Sequence, residues 1–205
     1  MTMILLIRHG ENDYVKLGRL AGRLPGVDLN QTGLIQAKML ADKLASAPIK
    51  AIYTSPLERA MQTAQPLAEA NQKEMVVRES LLEIDYGDWQ GRTLKSLRRN
   101  KLWKVVQTQP SRARFPGGES FAEAQQRICH EVENLANTHD EKDLLLCFSH
   151  ADMIKLALAY YMGIPLDLFQ RLVVSPCSIS TLYIGKHGVR LIALNIDVFH
   201  TIIPD

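Results

Sequence analysis

Met3-Ile4-Leu5-Leu6-Ile7, followed at once by Arg8-His9-Gly10-Glu11, sets the frame for the rest of the chain. Five apolar residues without a charge read as a short strand buried on both faces of a sheet. The run ends in a cation and an imidazole. In open α/β sheets the carboxyl ends of strands are where ligands bind. Gly10 allows a sharp turn there. By itself this tripeptide is an ordinary loop sequence, so its meaning depends on what the rest of the chain brings to it.

Working outward, residues 12–29 are a long polar, glycine-rich loop, the kind that often carries function. Asn30 is a candidate N-cap for a helix reaching about residue 46, with Leu34, Ala37, Leu40, Ala41 and Leu44 on its apolar face. Pro48 closes it, and Ala51-Ile52-Tyr53-Thr54 reads as a second strand. Ser55-Pro56-Leu57-Glu58 has the form of a capping box with proline at the first helical position. The helix it starts carries Arg59 in its first turn. Met75-Val76-Val77 is a third strand. An acidic, aromatic loop runs through Glu83-Ile84-Asp85-Tyr86-Gly87-Asp88-Trp89, and residues 93–107 look helical.

Pro116-Gly117-Gly118-Glu119-Ser120 marks a turn into a long helix with Phe121, Ala124, Ile128, Val132 and Leu135 as its apolar stripe. Leu144-Leu145-Leu146-Cys147-Phe148 is another doubly buried strand, ending in Ser149-His150, and a helix follows to about Met162. Two β-rich stretches remain, at about 171–175 and 178–194, the second folding over at Gly185-Lys186-His187-Gly188. Strands alternating with helices predict an α/β fold: a mostly parallel central sheet with helices on both faces, in one domain over 1–205.

Composition narrows the function classes. The 205 residues are 46% hydrophobic and 22% charged, ordinary for a globular protein. The net charge of +2 does not provide a nucleic-acid footprint. Arg98-Arg99-Asn100-Lys101 is the one dense basic run and reads as a solvated helix face. No apolar run has the length of a membrane span, and no basic, apolar and cleavage regions stand in order at the start, so neither membrane nor leader is expected. Cys129, Cys147 and Cys177 lack C-x-x-C spacing and read as buried thiols of a cytoplasmic protein.

Three strand ends should therefore converge: Arg8-His9-Gly10, Ser55 through Arg59, and Ser149-His150. Two guanidiniums in one cleft repel unless an anion lies between them, and their geometry suits phosphate or carboxylate oxygens. Helix N-termini after the second and third strand ends add amide donors. A neutral imidazole beside them can act as a nucleophile, and a carboxylic acid can protonate the leaving oxygen and later deprotonate water. Glu83 is the candidate acid, since Asp85 and Asp88 lie near a turn where local hydrogen bonds hold them.

These blocks, in this order, resemble the histidine phosphatase superfamily: Arg8-His9-Gly10-Glu11, Gly18-Arg19-x-x-Gly22, Ser55-Pro56-Leu57-x-Arg59-Ala60-x-Gln62-Thr63-Ala64, Glu83-x-x-x-Gly87-x-Trp89-x-Gly91, Pro116-Gly117-Gly118-Glu119-Ser120 and Ser149-His150. The resemblance covers nearly the whole chain and is to the compact, broad-specificity phosphatase branch with its phosphoglycerate mutase-like fold. It implies a metal-independent phosphomonoesterase without cofactor, acting on a small phosphorylated metabolite. His9 is implied as the nucleophile, Glu83 as proton donor, and Arg8, Arg59 and His150 as ligands of the phosphoryl oxygens. The backbone amide of Ala151 faces the phosphate in the same picture.

The chain departs from the family pattern at Asn12 (usually Thr or Ser), Val15 (usually Asn), Ala21 (usually Gln) and Ala151 (usually Gly). Asn12 or Arg23 can take over the lost polar contacts, which makes Asn12 a candidate substrate-binding residue. Tyr14, Trp89, Trp103 and Phe115 either line an apolar part of the site or pack beneath the loops. Two other readings stay open: a mutase that returns the phosphoryl group to its substrate, and a non-catalytic phosphate-binding module on the same fold. Substrate identity and oligomeric state are not legible.

Overall fold

Strand β1 spans Thr2–Arg8 in the computed structural model, which describes residues 2–186 and 188–197. Successive side chains of a strand point to opposite faces. Ile4 and Leu6 accordingly enter one core, while Leu5 and Ile7 enter another. With both faces apolar, the sequence shows a continuous run instead of an alternation.

The chain goes on through α1 (Asp13–Lys16), α2 (Gln31–Leu44), β2 (Ile49–Thr54), α3 (Glu58–Ala70) and β3 (Met75–Val77). Two 3-10 turns, at 79–81 and 87–89, lead to α4 (Leu94–Leu97), α5 (Lys101–Thr108) and α6 (Phe121–Thr138). Then come β4 (Leu144–Ser149), α7 (Ala151–Tyr161), β5 (Ile179–Gly185) and β6 (Gly188–Ile196). The six strands lie in the order β3-β2-β4-β1-β5-β6. The first four are parallel, and β5 and β6 are antiparallel additions beside β1. Helices α2 and α3 cover the face of Leu5 and Ile7, whereas α6 and α7 cover the face of Ile4 and Leu6. The expected α/β sheet with helices on both faces is therefore what forms.

The crossings position the site. After β1 the chain leaves toward the α2 face, and after the neighbouring β4 it leaves toward the α7 face. Connections diverging from adjacent parallel strands open a crevice at their carboxyl ends. Arg8-His9 and Ser149-His150 sit at that crevice.

Several local expectations change. Asn30 does cap α2, its side chain accepting from the Gly33 N–H at 2.9 Å. Leu34, however, is 47% exposed, because Gly33 occupies the buried position of that turn. Ser55 does not cap α3: the helix starts at Glu58 behind Leu57, with no side-chain cap. The region 93–107 is broken into α4 and α5, where the Asn100 side chain caps the second. Residues 172–175 form no strand, and the Val174 carbonyl instead accepts from the Arg8 side chain. Gly185 pairs with Gly188 where the last two strands fold over, and His187 lies outside the described residues. The α6 helix forms with the expected buried stripe, started by a Ser120–Glu123 capping box. All three cysteines are free and buried, and burial pushes their thiols up. Among the described residues no helix is long and apolar enough to cross a membrane.

Gly33 fixes how closely α2 approaches the loop after β1. A Cβ built there would lie 2.1 Å from the Glu11 carbonyl oxygen, a backbone atom that cannot swing away. Alanine is favoured over glycine inside a helix by about 1 kcal/mol, but a backbone clash of this depth outweighs it. We expect Gly33→Ala to destabilise by about 1–3 kcal/mol, lowering the melting temperature by roughly 2–10 °C in thermal unfolding. An unchanged or raised melting temperature would show that the loop after β1 is free to yield.

Candidate active site

Strand register makes the three ends level. Arg8 pairs with Ser149 and Thr54 with Phe148. Beyond the strands the ladder continues for one residue each way: the His9 N–H donates to Ser149 O (3.0 Å) and the Ser55 N–H to Phe148 O (2.9 Å). Arg8, His9, Asn12, Arg59, Glu83 and Ala151 all line one cavity of about 290 Å3. His150 is fully buried beside it, its ring centroid 5.2 Å from that of His9. A larger groove of about 670 Å3 runs along α6 past His130 and Tyr160, but it gathers none of these residues. Among the described residues no group of three or more His, Cys, Asp and Glu side chains could hold a metal ion.

The cavity is built of donors. Arg59 gives one Nη2 hydrogen to Gly22 O (2.7 Å), and Arg8 gives Nη1 to Val174 O (2.7 Å). Arg59 Nε and Nη1, Arg8 Nε, Asn12 Nδ2 and His150 Nδ1 are buried with no hydrogen-bond partner in the protein. Buried donors without partners are costly. Arg8, Asn12 and Arg59 line one cavity and His150 lies beside it, and an anion there is the acceptor that such a set suits. Asn12 combines two tasks, since its side-chain oxygen accepts from the Val15 N–H at the start of α1 (2.9 Å) while its amide nitrogen remains available. Ala151 opens α7, so its free N–H joins the donor set at a helix N-terminus. Arg59, in the first turn of α3, lines the cavity as well.

Both imidazoles are held neutral. Burial, then the charges of Arg59 and Arg8, push His9 well below the usual histidine range. His9 Nδ1 lies 2.7 Å from Gly10 O, which must be met by an N–H, so Nε2 carries the lone pair. His150 is pushed down in the same way, by burial first and then by Arg59 and His9. Its Nε2 lies 2.9 Å from Ser55 Oγ. Ser55 thus spends its hydroxyl on His150, and local helix capping is given up for the site.

Glu83 is nearly buried, with Oε1 accepting from its neighbour's N–H, Ile84, at 2.9 Å. Burial and the nearby Asp152 raise its carboxyl to about 7, against the pull of that N–H, Arg59 and Arg8. Its backbone is held from outside the cavity. Arg23 Nε donates to Glu83 O (2.8 Å), and Arg127 donates to Leu82 O (2.8 Å) and Ser80 O (3.0 Å). The Glu119 carboxylate joins the two guanidiniums, 3.0 Å from Arg23 and 2.7 Å from Arg127. Arg23 therefore positions Glu83 and is not one of the residues lining the cavity. Asp85 accepts from the Gly87 N–H (2.9 Å), the local bond expected of it.

Sequence reasoning passed over Asp152 and Tyr86, which face the cavity together with Tyr86 Oη donating to Asp152 at 2.8 Å. The signal was present: Asp152 stands two residues beyond His150, in the first turn after a strand end. Of the aromatic residues left open, Trp89 and Phe115 are buried beneath the loops, while Tyr14 lines the cavity. Val15 and Ala21 line it as well, apolar at both positions.

Comparison with known proteins agrees with this geometry. The model of the histidine phosphatase superfamily (branch 1) matches residues 4–197. Phosphoserine phosphatase 1 of Hydrogenobacter thermophilus is 28% identical over 96% of this chain and 93% of its own length. A probable phosphoglycerate mutase of Proteus mirabilis is 30% identical over 88% of this chain and 84% of its own. The crystal structure of phosphoserine phosphatase from Entamoeba histolytica in complex with 3-phosphoglyceric acid superposes with a TM-score of 0.87 and 28% identity, covering 96% of this chain and 98% of that one.

The raised Glu83 has a consequence for stability. An unfolded glutamate gives up its proton near 4.5, whereas folded Glu83 keeps it to about 7. Between those values the folded state binds more protons, so this residue's contribution falls as pH rises. We expect Glu83→Gln to gain stability over the parent progressively from about pH 4.5 to about pH 7 and then level off, by about 3 kcal/mol. Urea unfolding of both proteins at pH 5, 6, 7 and 8 measures the difference, and a difference independent of pH would contradict the raised carboxyl.

Proposed function

The chain belongs to the histidine phosphatase superfamily, and from that premise we propose that it is a phosphomonoesterase working through a phosphohistidine on His9. The observation that carries the reading is the pairing of His9 Nδ1 with Gly10 O inside a ring of buried donors that lack acceptors. It leaves Nε2 as a neutral nucleophile facing the place where an anion would be held.

In the first step the Nε2 lone pair forms a bond to phosphorus and the ester P–O bond breaks. Glu83, protonated below about pH 7, gives its proton to the departing alcohol oxygen. Arg8, Arg59, Asn12, His150 and the Ala151 N–H hold the non-bridging oxygens, where charge is greatest in the transition state. In the second step Glu83, now a carboxylate, takes a proton from water as its oxygen attacks phosphorus. The N–P bond breaks, giving inorganic phosphate and neutral His9. Ser55 takes the role of positioning His150, and Arg23, Glu119 and Arg127 that of positioning Glu83.

The substrate in this reading is a small phosphorylated metabolite, the whole described chain acts as one domain, and its free thiols fit the reducing cytoplasm. Likeness to a probable phosphoglycerate mutase favours a second outcome, return of the phosphoryl group to the substrate. Both share the first step. We favour hydrolysis because the phosphoserine phosphatases are matched over more of this chain. Free phosphate against an isomerised ester separates the two.

Two measurements test the mechanism. His9→Ala should form no acid-labile phosphoenzyme and lose at least roughly 10³-fold in kcat; a labelled variant would mean another nucleophile. Glu83→Gln should slow alkyl phosphates by about 10²–10⁴-fold and spare phosphorylation by an activated aryl phosphate, with a burst as dephosphorylation fails. Because the acid must be protonated, the parent's alkyl phosphatase rate should fall as pH rises past about 7. Equal loss on both ester types, without a burst, would move the acid role to another residue.

A further inference from the structure

The outer half of the cavity differs in chemistry from its floor. Tyr14, Val15, Leu20, Ala21 and Leu94 form its apolar wall. The backbone of that wall is zipped in place: the Leu20 N–H donates to Arg92 O (2.9 Å), the Gly91 N–H to Leu20 O (2.7 Å) and the Leu94 N–H to Gly18 O (2.8 Å). A pocket fixed in this way is preorganised, so what it binds is set by its lining.

Charge in this half is already engaged within the protein. Arg19 is the cation that lines it besides Arg8 and Arg59, which belong to the floor. Its Nε and Nη2 both donate to Gly91 O, at 3.0 and 2.8 Å, and its guanidinium lies 4.8 Å over the Tyr14 ring. Two of its three nitrogens are thereby tied to the wall. The same cavity is lined by Asp152, whose carboxylate is held by Tyr86 and by Lys155 at 3.1 Å. The cation and the carboxylate of this half both have partners within the protein, so neither is set aside to pair with a charged leaving group.

The cavity is small. A volume of about 290 Å3 is at the small end for ligand pockets. Leu20, Tyr86, Leu94 and Asp152 also line an adjoining cavity of about 80 Å3, walled by Trp89, Trp103 and Phe115. Apolar surface therefore continues inward from the leaving-group side.

Resting on the phosphomonoesterase reading, we infer that the alcohol part of the substrate is an uncharged apolar group about the size of one aromatic ring, seated against Tyr14, Leu20 and Leu94, and carries no carboxylate. Such a chain would discriminate against phosphoserine and 3-phosphoglycerate through its leaving-group wall, while handling the phosphoryl group as its relatives' family does.

The test compares kcat/KM of the intact protein for 2-phenylethyl phosphate, phosphoserine and 3-phosphoglycerate. All three are alkyl esters, so their demand for the proton of Glu83 is similar. We expect the phenylethyl ester to lead by about tenfold or more, chiefly through KM. Leu94 is at the rim and 36% exposed, so its replacement leaves the core intact. Leu94→Lys should cut that lead by about tenfold and raise 3-phosphoglycerate turnover, while Leu94→Ala should weaken the phenylethyl ester alone. Hydrolysis of all three with the carboxylated esters equal or faster, or selectivity unmoved by both variants, overturns this inference and leaves the phosphatase reading intact. Absence of both phosphate release and phosphoenzyme with every ester overturns the phosphatase reading itself.

Discussion

The parallel pairing of β1 with β4, in the register that sets Arg8 beside Ser149, is the constraint on which everything else depends. A slip of one residue would reverse the facing of every side chain on the strand and carry apolar groups out of both cores. Because Ile4, Leu6 and Ile7 are fully buried, the register is strongly specified. Burying such a side chain contributes about 1.5–3 kcal/mol, so the penalty for a slip is large. The same register brings His9 and His150 to a ring separation of 5.2 Å. The placement of the two imidazoles is thus locked by a hydrophobic sorting rule.

What the core stabilises, the site spends. Two guanidiniums and two imidazoles lie together, and the one carboxyl among the proposed catalytic groups keeps its proton to about pH 7. The imbalance raises the cost of the fold and prepares the cavity for a dianion, since donors fixed in advance need no reorganisation when charge develops. Local rules are broken at the same place. Cys177 adopts a left-handed conformation (φ 55°), rare outside glycine, and its N–H reaches the carbonyls of Arg8 and His9 at 3.1 and 3.3 Å. Backbone strain next to the strand end accompanies support of two residues that line the cavity.

Glu83 reaches the cavity on a loop, so its precision must come from elsewhere. Part comes from ring packing, with Tyr86, Phe115, Trp89 and Phe121 in edge contacts at 4.9–5.3 Å between centroids. Part comes from Glu119, one carboxylate between two arginines that grip the loop's carbonyls. The Pro-Gly-Gly-Glu-Ser turn is tight for the same reason: a Cβ on Gly118 would stand 2.2 Å from Asp85 O. Loop, turn and ion pairs act together to place one acid.

Along the chain, the doubly buried runs at 3–7 and 144–148, the Ser120–Glu123 cap and the stripe of α6 could be read directly, because periodicity and capping are local properties. That Arg8, His9, Arg59, Glu83 and His150 come together was also legible, four of them from their places at or beyond strand ends and Glu83 as the acid of a loop. The structure alone decided the roles of Ser55, Arg23, Glu119 and the Tyr86–Asp152 pair. Ser55 carries a faultless capping sequence, yet it turns to His150, since a partner 95 residues away outweighed a cap worth about 1 kcal/mol. Arg23 joins Glu119 across 96 residues in the same way. The sequence by itself determined which segments are buried and which side chains stand at strand ends, because those depend on neighbours in the chain. Which polar groups meet across the crevice was decided by the sheet order and the loops packed over it, because hydrogen bonds between distant residues form only where folding has already brought both partners together.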